Sequence, residues 1–176
     1  RLEIEGTWSR GSLTRVLREL EGRGIYFPSP PPSSEPEALP PQVLGRLGLQ
    51  TVQHRRNQRS VRMVRSSDTM GGCPLAELAI DQVTFYLKTG SVQHHEVEIE
   101  AKGEGDLDVL QEVAGELLRS YPEALSRWPY GKLSIGEAAE ELLGQSPGEE
   151  MLDAENHLTS KAYQRIRDRL DSAREG

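Results

Sequence analysis

The chain has 176 residues, of which 35% are hydrophobic and 28% charged, and its formal net charge is −7 at pH 7. This composition is typical of a globular protein of one ordinary domain, and the acidic balance argues against general nucleic-acid binding, which needs a positive excess facing phosphate. No apolar run is long enough to span a bilayer and the N-terminus does not resemble a signal peptide, so we expect a soluble cytoplasmic protein. The single cysteine, Cys73, excludes an intramolecular disulfide and a cysteine-based zinc site.

The N-terminal part of the chain predicts a strand and two short helices. The first residues, RLEIEG, are typical of the middle of a strand that carries Glu3 and Glu5 on one face. The next segment, SLTRVLRELEGRGI, has leucine and valine at helical spacing and predicts a helix that stops at Gly22. A proline-rich stretch from Phe27 to Pro41 predicts an exposed loop, and PPQVLGRLGL predicts a second short helix.

Three further strands are predicted in the middle of the chain. The first, QTVQHRRNQRSVRMVR, is basic and covers residues 50–65, and the second, LAELAIDQVTFYL, covers residues 75–87. The tetrapeptide KTGS predicts a hairpin turn that leads back into HHEVEIEAK. We expect His94 and His95, at the end of this hairpin, to be polar surface residues.

Charged side chains concentrate on one face of each predicted strand, because residues two apart on a strand point to the same side. These faces carry Glu3 and Glu5 on the first strand, Arg59 with Asn57 on the second, Glu77 and Asp81 on the third, and Glu96, Glu98, Glu100 and Lys102 on the fourth. Like charges side by side repel and an unpaired buried carboxylate is costly, so a positive group is expected to face them. A solvated strand face is the alternative interpretation for the carboxylates, as a nonspecific anion patch is for the arginines.

Helices dominate the rest of the chain. GDLDVLQEVAGELLRSY predicts a helix with Asp106 as its N-cap, and SIGEAAEELL predicts another, after a loop that contains Lys132. The tail from Ser146 onward ends in a charged helix that we expect to be peripheral. The predicted organisation is therefore one domain over residues 1–145 with a helical extension over residues 146–176.

Together these elements predict an α+β fold in which an antiparallel sheet closes into a barrel. The charged strand faces would line a tunnel, and the amphipathic helices would pack on its outside. Carboxylates that face guanidinium groups can hold a divalent cation and a polyphosphate together. Mg²⁺ and Mn²⁺ take hard oxygen ligands and bridge carboxylate to phosphate, while arginine and lysine bind the remaining phosphate oxygens.

Five segments between about Arg1 and Leu143 resemble, in order and spacing, the CYTH superfamily of triphosphate tunnel metalloenzymes. RLEIEG resembles the Arg-x-Glu-x-Glu strand of that family, and LGLQTVQHRRNQRSVRMV resembles its leucine-glycine-leucine helix end and arginine strand. ELAIDQVTF is similar to the strand with an inward aspartate, and HEVEIEAKGEGDLDVLQEVAGELL to the strand with paired metal-binding glutamates and its helix. YGKLSIGEAAEELL resembles the late lysine and the helix that follows it.

The chain departs from this family at its beginning. The family's hallmark is a first strand with Glu-x-Glu-x-Lys, followed by a strand with paired arginines, and neither precedes Arg1. The literal match at Glu98, Glu100 and Lys102 is assigned to the late strand, because GKLS and no further barrel strand follow it. We therefore expect a barrel that is incomplete at the N-terminus and a native protein that continues upstream with the missing strands.

The resemblance implies a hydrolase that uses Mg²⁺ or Mn²⁺ to cleave a triphosphate, which could be inorganic tripolyphosphate, thiamine triphosphate or a nucleoside triphosphate. The family includes class IV adenylate cyclases, so a cyclase is one alternative, and a non-catalytic polyphosphate- or nucleotide-binding module is another. The expected partner is the small-molecule triphosphate, with a homodimer as an option and no nucleic-acid or membrane partner. The residue roles that the resemblance implies are catalysis by Glu96, Glu98 and Lys132, substrate binding by Arg59, Asn57 and Lys132, and metal ligation by Glu96, Glu98, Glu3, Glu5 and Asp81.

Overall fold

The computed structural model describes residues 9–27, 40–66, 72–103, 107–145 and 150–175. In these ranges the chain forms the following elements: α1 (Arg10–Glu21), α2 (Pro40–Arg46), β1 (His54–Arg65), β2 (Pro74–Leu87), β3 (Gly90–Ala101), α3 (Leu107–Ser120), α4 (Lys132–Gln145) and α5 (Ser160–Glu175). The chain divides into two compact units between Val52 and Gln53. No helix within the described ranges is long and apolar enough to cross a membrane.

The first unit contains α1 and α2. α1 begins with a capping box, in which the Ser9 hydroxyl accepts a hydrogen bond from the Ser12 backbone and the Ser12 hydroxyl accepts one from the Ser9 backbone. It ends at Gly22, whose N–H donates to the carbonyl of Arg18. The predicted helix and its end are confirmed. The strand predicted at Glu3 and Glu5 lies outside the described residues, as does the N-cap predicted at Asp106.

The second unit is built on an antiparallel sheet of three strands in the order β1-β2-β3. Lys88 and Thr89 form the turn of the β2–β3 hairpin, and Gly90 follows with a positive φ of 134° that favours glycine. The three strands and the hairpin were predicted from the sequence and are confirmed, and so is the α+β class. Within the described residues the sheet is open, with β1 and β3 at its edges.

The core of the second unit lies on the same sheet face as the charged side chains. On β2 the buried residues Val83 and Phe85 have the same parity as Asp81, and the buried Val92 on β3 is paired with Phe85, so all of them lie on one face. They pack against α4, and the approach is so close that a Cβ on Gly136 would lie 2.9 Å from Cδ1 of Phe85. The prediction that helices cover only the other, apolar face is therefore wrong for α4.

The C-terminal segment belongs to this core. Met151, Ala162 and Ile166 are almost completely inaccessible to solvent, and they share one hydrophobic cluster with the sheet and α4. The sequence predicted a charged, peripheral final helix, because α5 is rich in Arg and Asp. The structure corrects this prediction, since the few apolar residues of α5 are sufficient to bury one side of it.

Candidate functional site

The register of the sheet aligns three of the predicted residues across its width. Arg59 on β1 is paired with Asp81 on β2, and Asp81 is paired with Glu96 on β3. Directly opposed residues of antiparallel strands point to the same side of the sheet. The three charged side chains therefore form a row on the face that also holds the core.

The centre of the row is a bidentate ion pair. Nε of Arg59 donates to Oδ1 of Asp81, and Nη2 of Arg59 donates to Oδ2, each over 2.7 Å. Asp81 is fully buried, whereas 36% of the Arg59 side chain is exposed. Burial alone would raise the pKa of Asp81, but hydrogen bonds from Arg59, Lys132 and Asn57 hold it below its usual range. The hydrogen bond to Asp81 likewise raises the pKa of Arg59, so the pair is fully charged near neutral pH.

Lys132 brings a second cation to the row from another element. It is the first residue of α4, and its Nζ lies 3.0 Å from Oδ2 of Asp81 and 2.6 Å from Oε1 of Glu98. It also donates to Oε1 of Glu96. Burial lowers the pKa of Lys132, but its hydrogen bonds to Glu96, Glu98 and Asp81 raise it by more. Lys132 is therefore a charged ammonium group at neutral pH.

Glu96 is held at both of its carboxylate oxygens. Lys132 donates to Oε1, and Nε2 of His94 lies 3.0 Å from Oε2. Burial raises the pKa of Glu96, but the hydrogen bonds from His94 and Lys132 lower it by more, to about 2. Glu96 is therefore an ionised carboxylate at neutral pH although only 13% of its side chain is exposed.

The three carboxylates could share one cation. Asp81, Glu96 and Glu98 each offer an oxygen within 4.8 Å of the other two. Hard oxygen donors of this kind suit Mg²⁺ and Mn²⁺. Together with Arg59 and Lys132, they carry three negative and two positive charges, so the group has a formal charge of −1 that a divalent cation would reverse.

The five residues of this charged cluster (Arg59, Asp81, Glu96, Glu98 and Lys132) were all predicted from the sequence as site residues, and the structure brings them together. Lys132 was expected in a loop, but it lies at the start of α4. Asn57 has the same parity on β1 as Arg59 and contributes to the lowered pKa of Asp81. Glu3 and Glu5, the other predicted metal ligands, lie outside the described residues.

The remaining charges of the Glu96 face form a separate group. Nζ of Lys102 lies 3.3 Å from a carboxylate oxygen of Glu100 and 3.6 Å from one of Glu77. Glu77 and Glu100 are opposed on β2 and β3 in the same way as Asp81 and Glu96. These residues share the predicted face, but Lys102, which follows β3, is their cationic partner and balances one of the two negative charges.

Two residues of the site were not predicted. His94 was expected on the surface, but it is only 2% exposed and bridges Glu96 to the hydroxyl of Tyr163 on α5. The available signal was strand parity, because His94 has the same parity as Glu96 and the buried Val92. Tyr163 carried no such signal, because its position depends on how α5 packs.

Comparisons with protein-family models, with curated proteins and with solved structures gave no match to this chain.

Proposed function

We propose that this chain binds a triphosphate together with Mg²⁺ or Mn²⁺ and hydrolyses the anhydride bond to its terminal phosphate. The observation that supports the proposal is the convergence of three carboxylates and two cationic side chains at one place on the sheet. Carboxylates beside guanidinium and ammonium groups match the mixed charge of a metal–polyphosphate ligand. The predicted resemblance to the triphosphate tunnel metalloenzymes agrees with this chemistry.

The contacts favour different roles for the three carboxylates. Asp81 has no exposed side-chain surface and is paired with Arg59, so it is better suited to orienting Arg59 and Lys132 than to binding a metal. Glu98 is 37% exposed, and Glu96 adjoins it on the same face. We therefore assign metal ligation to Glu96 and Glu98, with Glu3 and Glu5 retained as predicted further ligands.

Arg59 and Lys132 would bind the phosphate oxygens. In the ligand-free protein both are held by carboxylates, so a polyphosphate would meet cations that are already positioned and need little reorganisation. A bound cation would neutralise phosphate charge and lower the pKa of a water that attacks the terminal phosphorus. Such catalysis relies on positioning and electrostatics and needs no Ser or Cys nucleophile.

The proposed enzyme is cytoplasmic. Its site would lie in a tunnel that is formed when further strands add to this sheet. The sheet edges at β1 and β3 are the places where such strands would add, and closure would shield Arg59 and Glu98 from water. A less solvated site would strengthen every ion–phosphate contact.

A non-catalytic triphosphate-binding module is the second candidate. Both Arg59 and Glu98 are more than one-third exposed in the described sheet, and an open face of this kind suits binding better than a reaction that must control water. The two candidates differ in turnover and not in the ligand that they bind.

The test is to incubate the purified protein with tripolyphosphate, thiamine triphosphate and ATP, each with Mg²⁺ or Mn²⁺, and to identify the products. Release of inorganic phosphate supports the hydrolase, release of pyrophosphate with a cyclic nucleotide supports a cyclase, and binding without products supports the module. Binding is read from the melting temperature, because a ligand at about 100 times its Kd stabilises the folded state by about 2.7 kcal/mol. No turnover and no shift at millimolar ligand would contradict all three.

A further inference from the structure

A line of three hydrogen-bonded side chains, of which the middle one is buried, runs from the C-terminal helix to the charged cluster. The hydroxyl oxygen of Tyr163 on α5 lies 2.7 Å from Nδ1 of His94, and Nε2 of His94 lies 3.0 Å from Oε2 of Glu96. His94 is 2% exposed. Hydrogen bonds thereby link two residues of β3 to a residue of α5 that lies 69 positions later in the sequence.

The chemistry of the two outer groups, Glu96 and Tyr163, determines the direction of both hydrogen bonds to His94. The Glu96 carboxylate accepts hydrogen bonds, so Nε2 of His94, which lies 3.0 Å from Oε2, is the ring nitrogen that carries a proton and donates it. Nδ1 of His94 is then an acceptor, and the Tyr163 hydroxyl donates to it.

Aromatic neighbours fix the orientation of the His94 ring. The ring stacks on Phe85 at a centroid distance of 6.2 Å, and it meets the ring of Tyr163 at 5.6 Å. Tyr163 in turn meets Trp128 edge to face. The donor that reaches Glu96 therefore belongs to a ring that the core itself holds in place.

We propose that His94 and Tyr163 are positioning residues that fix the Glu96 carboxylate in the orientation in which it binds the divalent cation. This proposal rests on the proposed function of the cluster and deepens it. Lys132 holds Oε1 of Glu96 from one side and His94 holds Oε2 from the other, so rotation of the carboxylate away from Asp81 and Glu98 would break a hydrogen bond. Groups that hydrogen-bond to metal ligands in this way set the orientation and basicity of the ligand.

The proposal gives the C-terminal segment a part in the site. The docking of α5 brings the Tyr163 hydroxyl to His94, and without that hydroxyl Nδ1 of His94 becomes a buried acceptor without its donor. The tautomer with the proton on Nε2 is then held by Glu96 alone, so a larger fraction of the rings carries the proton on Nδ1 and cannot donate to Glu96. Loss of one distant hydroxyl would therefore weaken cation binding without removing a ligand.

The test compares Tyr163→Phe with Tyr130→Phe by titration with Mn²⁺ alone, where the signal of free Mn²⁺ in electron paramagnetic resonance gives the affinity. Both changes remove one phenol hydroxyl from the same core, but the Tyr130 hydroxyl bonds to Asp171 and not to the cluster. We expect Tyr163→Phe to weaken Mn²⁺ binding by about 10-fold or more, as substitutions behind metal ligands do, and Tyr130→Phe to leave it unchanged.

Substitutions of His94 supply a second comparison. His94→Gln retains an N–H donor that can reach Glu96, whereas His94→Leu retains none, so the glutamine variant should bind Mn²⁺ more tightly than the leucine variant. Nitrogen-15 correlation spectra of the His94 ring give a readout that needs no ligand. They should show the proton on Nε2 in the unmodified protein and a mixture of tautomers in Tyr163→Phe.

The outcomes separate the positioning role from the proposed function. Failure of the unmodified protein to bind Mn²⁺ would overturn the proposed metal site and the positioning role with it. Normal Mn²⁺ binding by the unmodified protein and equal binding by Tyr163→Phe would overturn the positioning role alone. A His94 ring protonated on Nδ1 alone in the unmodified protein would also overturn it, because that tautomer cannot donate to Glu96.

Discussion

Arg59 and Asp81 face each other on neighbouring strands and are joined by two parallel hydrogen bonds of 2.7 Å. The carboxylate is fully buried, and its partner is the only guanidinium found in an ion pair with it among the described residues. Because the guanidinium and the carboxylate are both planar, two parallel hydrogen bonds fix the distance between the groups and the angle between their planes. This pair holds the centre of the charged cluster, on which the other members converge.

Replacement of Asp81 by Asn should destabilise the protein. The substitution removes a buried charge that balances Arg59 and Lys132, and loss of one partner of a buried pair leaves the other uncompensated. Because Arg59 is 36% exposed, the expected loss in free energy of unfolding is about 2 kcal/mol, below the range for fully buried pairs. Urea denaturation measures it.

Glu77→Gln is the matched control for this change. Glu77 lies on the same face of β2, but its ion pair with Lys102 spans 3.6 Å and Lys102 is 38% exposed. An exposed pair of this kind contributes little to stability, because water screens it. If Asp81→Asn and Glu77→Gln lower the free energy of unfolding equally, the buried ion pair of Asp81 does not stabilise the protein more than the exposed pair of Glu77.

Arg59→Ala should weaken tripolyphosphate binding more than Arg62→Ala. The two arginines have opposite parity on β1, and Arg62 donates to the backbone carbonyl of Val61 instead of joining the cluster. Loss of a charged hydrogen bond contributes about 1.5–3 kcal/mol, so binding to Arg59→Ala should be weaker by about 10- to 100-fold. Calorimetric titration in Mg²⁺ measures both. If both substitutions weaken tripolyphosphate binding equally, the assignment of Arg59 to the binding face by strand parity is wrong.

Glu98→Gln should abolish metal-dependent turnover and leave the metal-free protein about as stable as before. The substitution removes a proposed ligand but also relieves repulsion among the three clustered carboxylates. Glu100→Gln serves as the control, because Glu100 is on the same face of β3 but pairs with Lys102. Phosphate release and thermal melting are measured together. Metal-dependent turnover that survives Glu98→Gln would refute the ligand assignment.

Stability should fall in acid through the carboxylates of the cluster. Burial raises the pKa of Glu96, but hydrogen bonds from His94 and Lys132 lower it by more, from 4.5 to about 2 in the folded state. A group whose pKa is lower in the folded state than in the unfolded one stabilises the fold above its unfolded pKa. This contribution is lost as the pH falls through the folded pKa. The contribution of Glu96 is therefore complete above about pH 4.5 and disappears towards pH 2.

A comparison with Glu96→Gln isolates this contribution. The difference in free energy of unfolding between the unmodified protein and Glu96→Gln should shrink as the pH is lowered from 6 to 3, because the carboxylate gradually loses its advantage over the amide. Denaturation curves at several pH values measure it. A difference that stays constant over this range would show that ionisation of Glu96 does not stabilise the fold.

The sequence alone predicted which residues of each strand share a face. Alternation along a strand is a local property, so Arg59, Asp81, Glu96 and Glu98 could be assigned to charged faces without any knowledge of their partners. The hairpin turn at Lys88 and Thr89 also determines that Asp81 opposes Glu96, because a short turn fixes the register of the two strands that it joins. The same reasoning could have found His94, had parity been given more weight than its nearness to the turn.

Only the tertiary structure decided what these faces meet. Eight residues, 66–73, separate β1 from β2, so the length of the connection does not fix the register that aligns Arg59 with Asp81. Lys132 joins the cluster because α4 packs on the charged face, and Tyr163 reaches His94 because the apolar side of α5 completes the core. The contacts of Lys132 with Glu98 and of Tyr163 with His94 join residues 34 and 69 positions apart. They depend on how the helices pack on the sheet, and this packing is driven by burial of apolar surface, which has no preferred direction that a local sequence pattern could reveal.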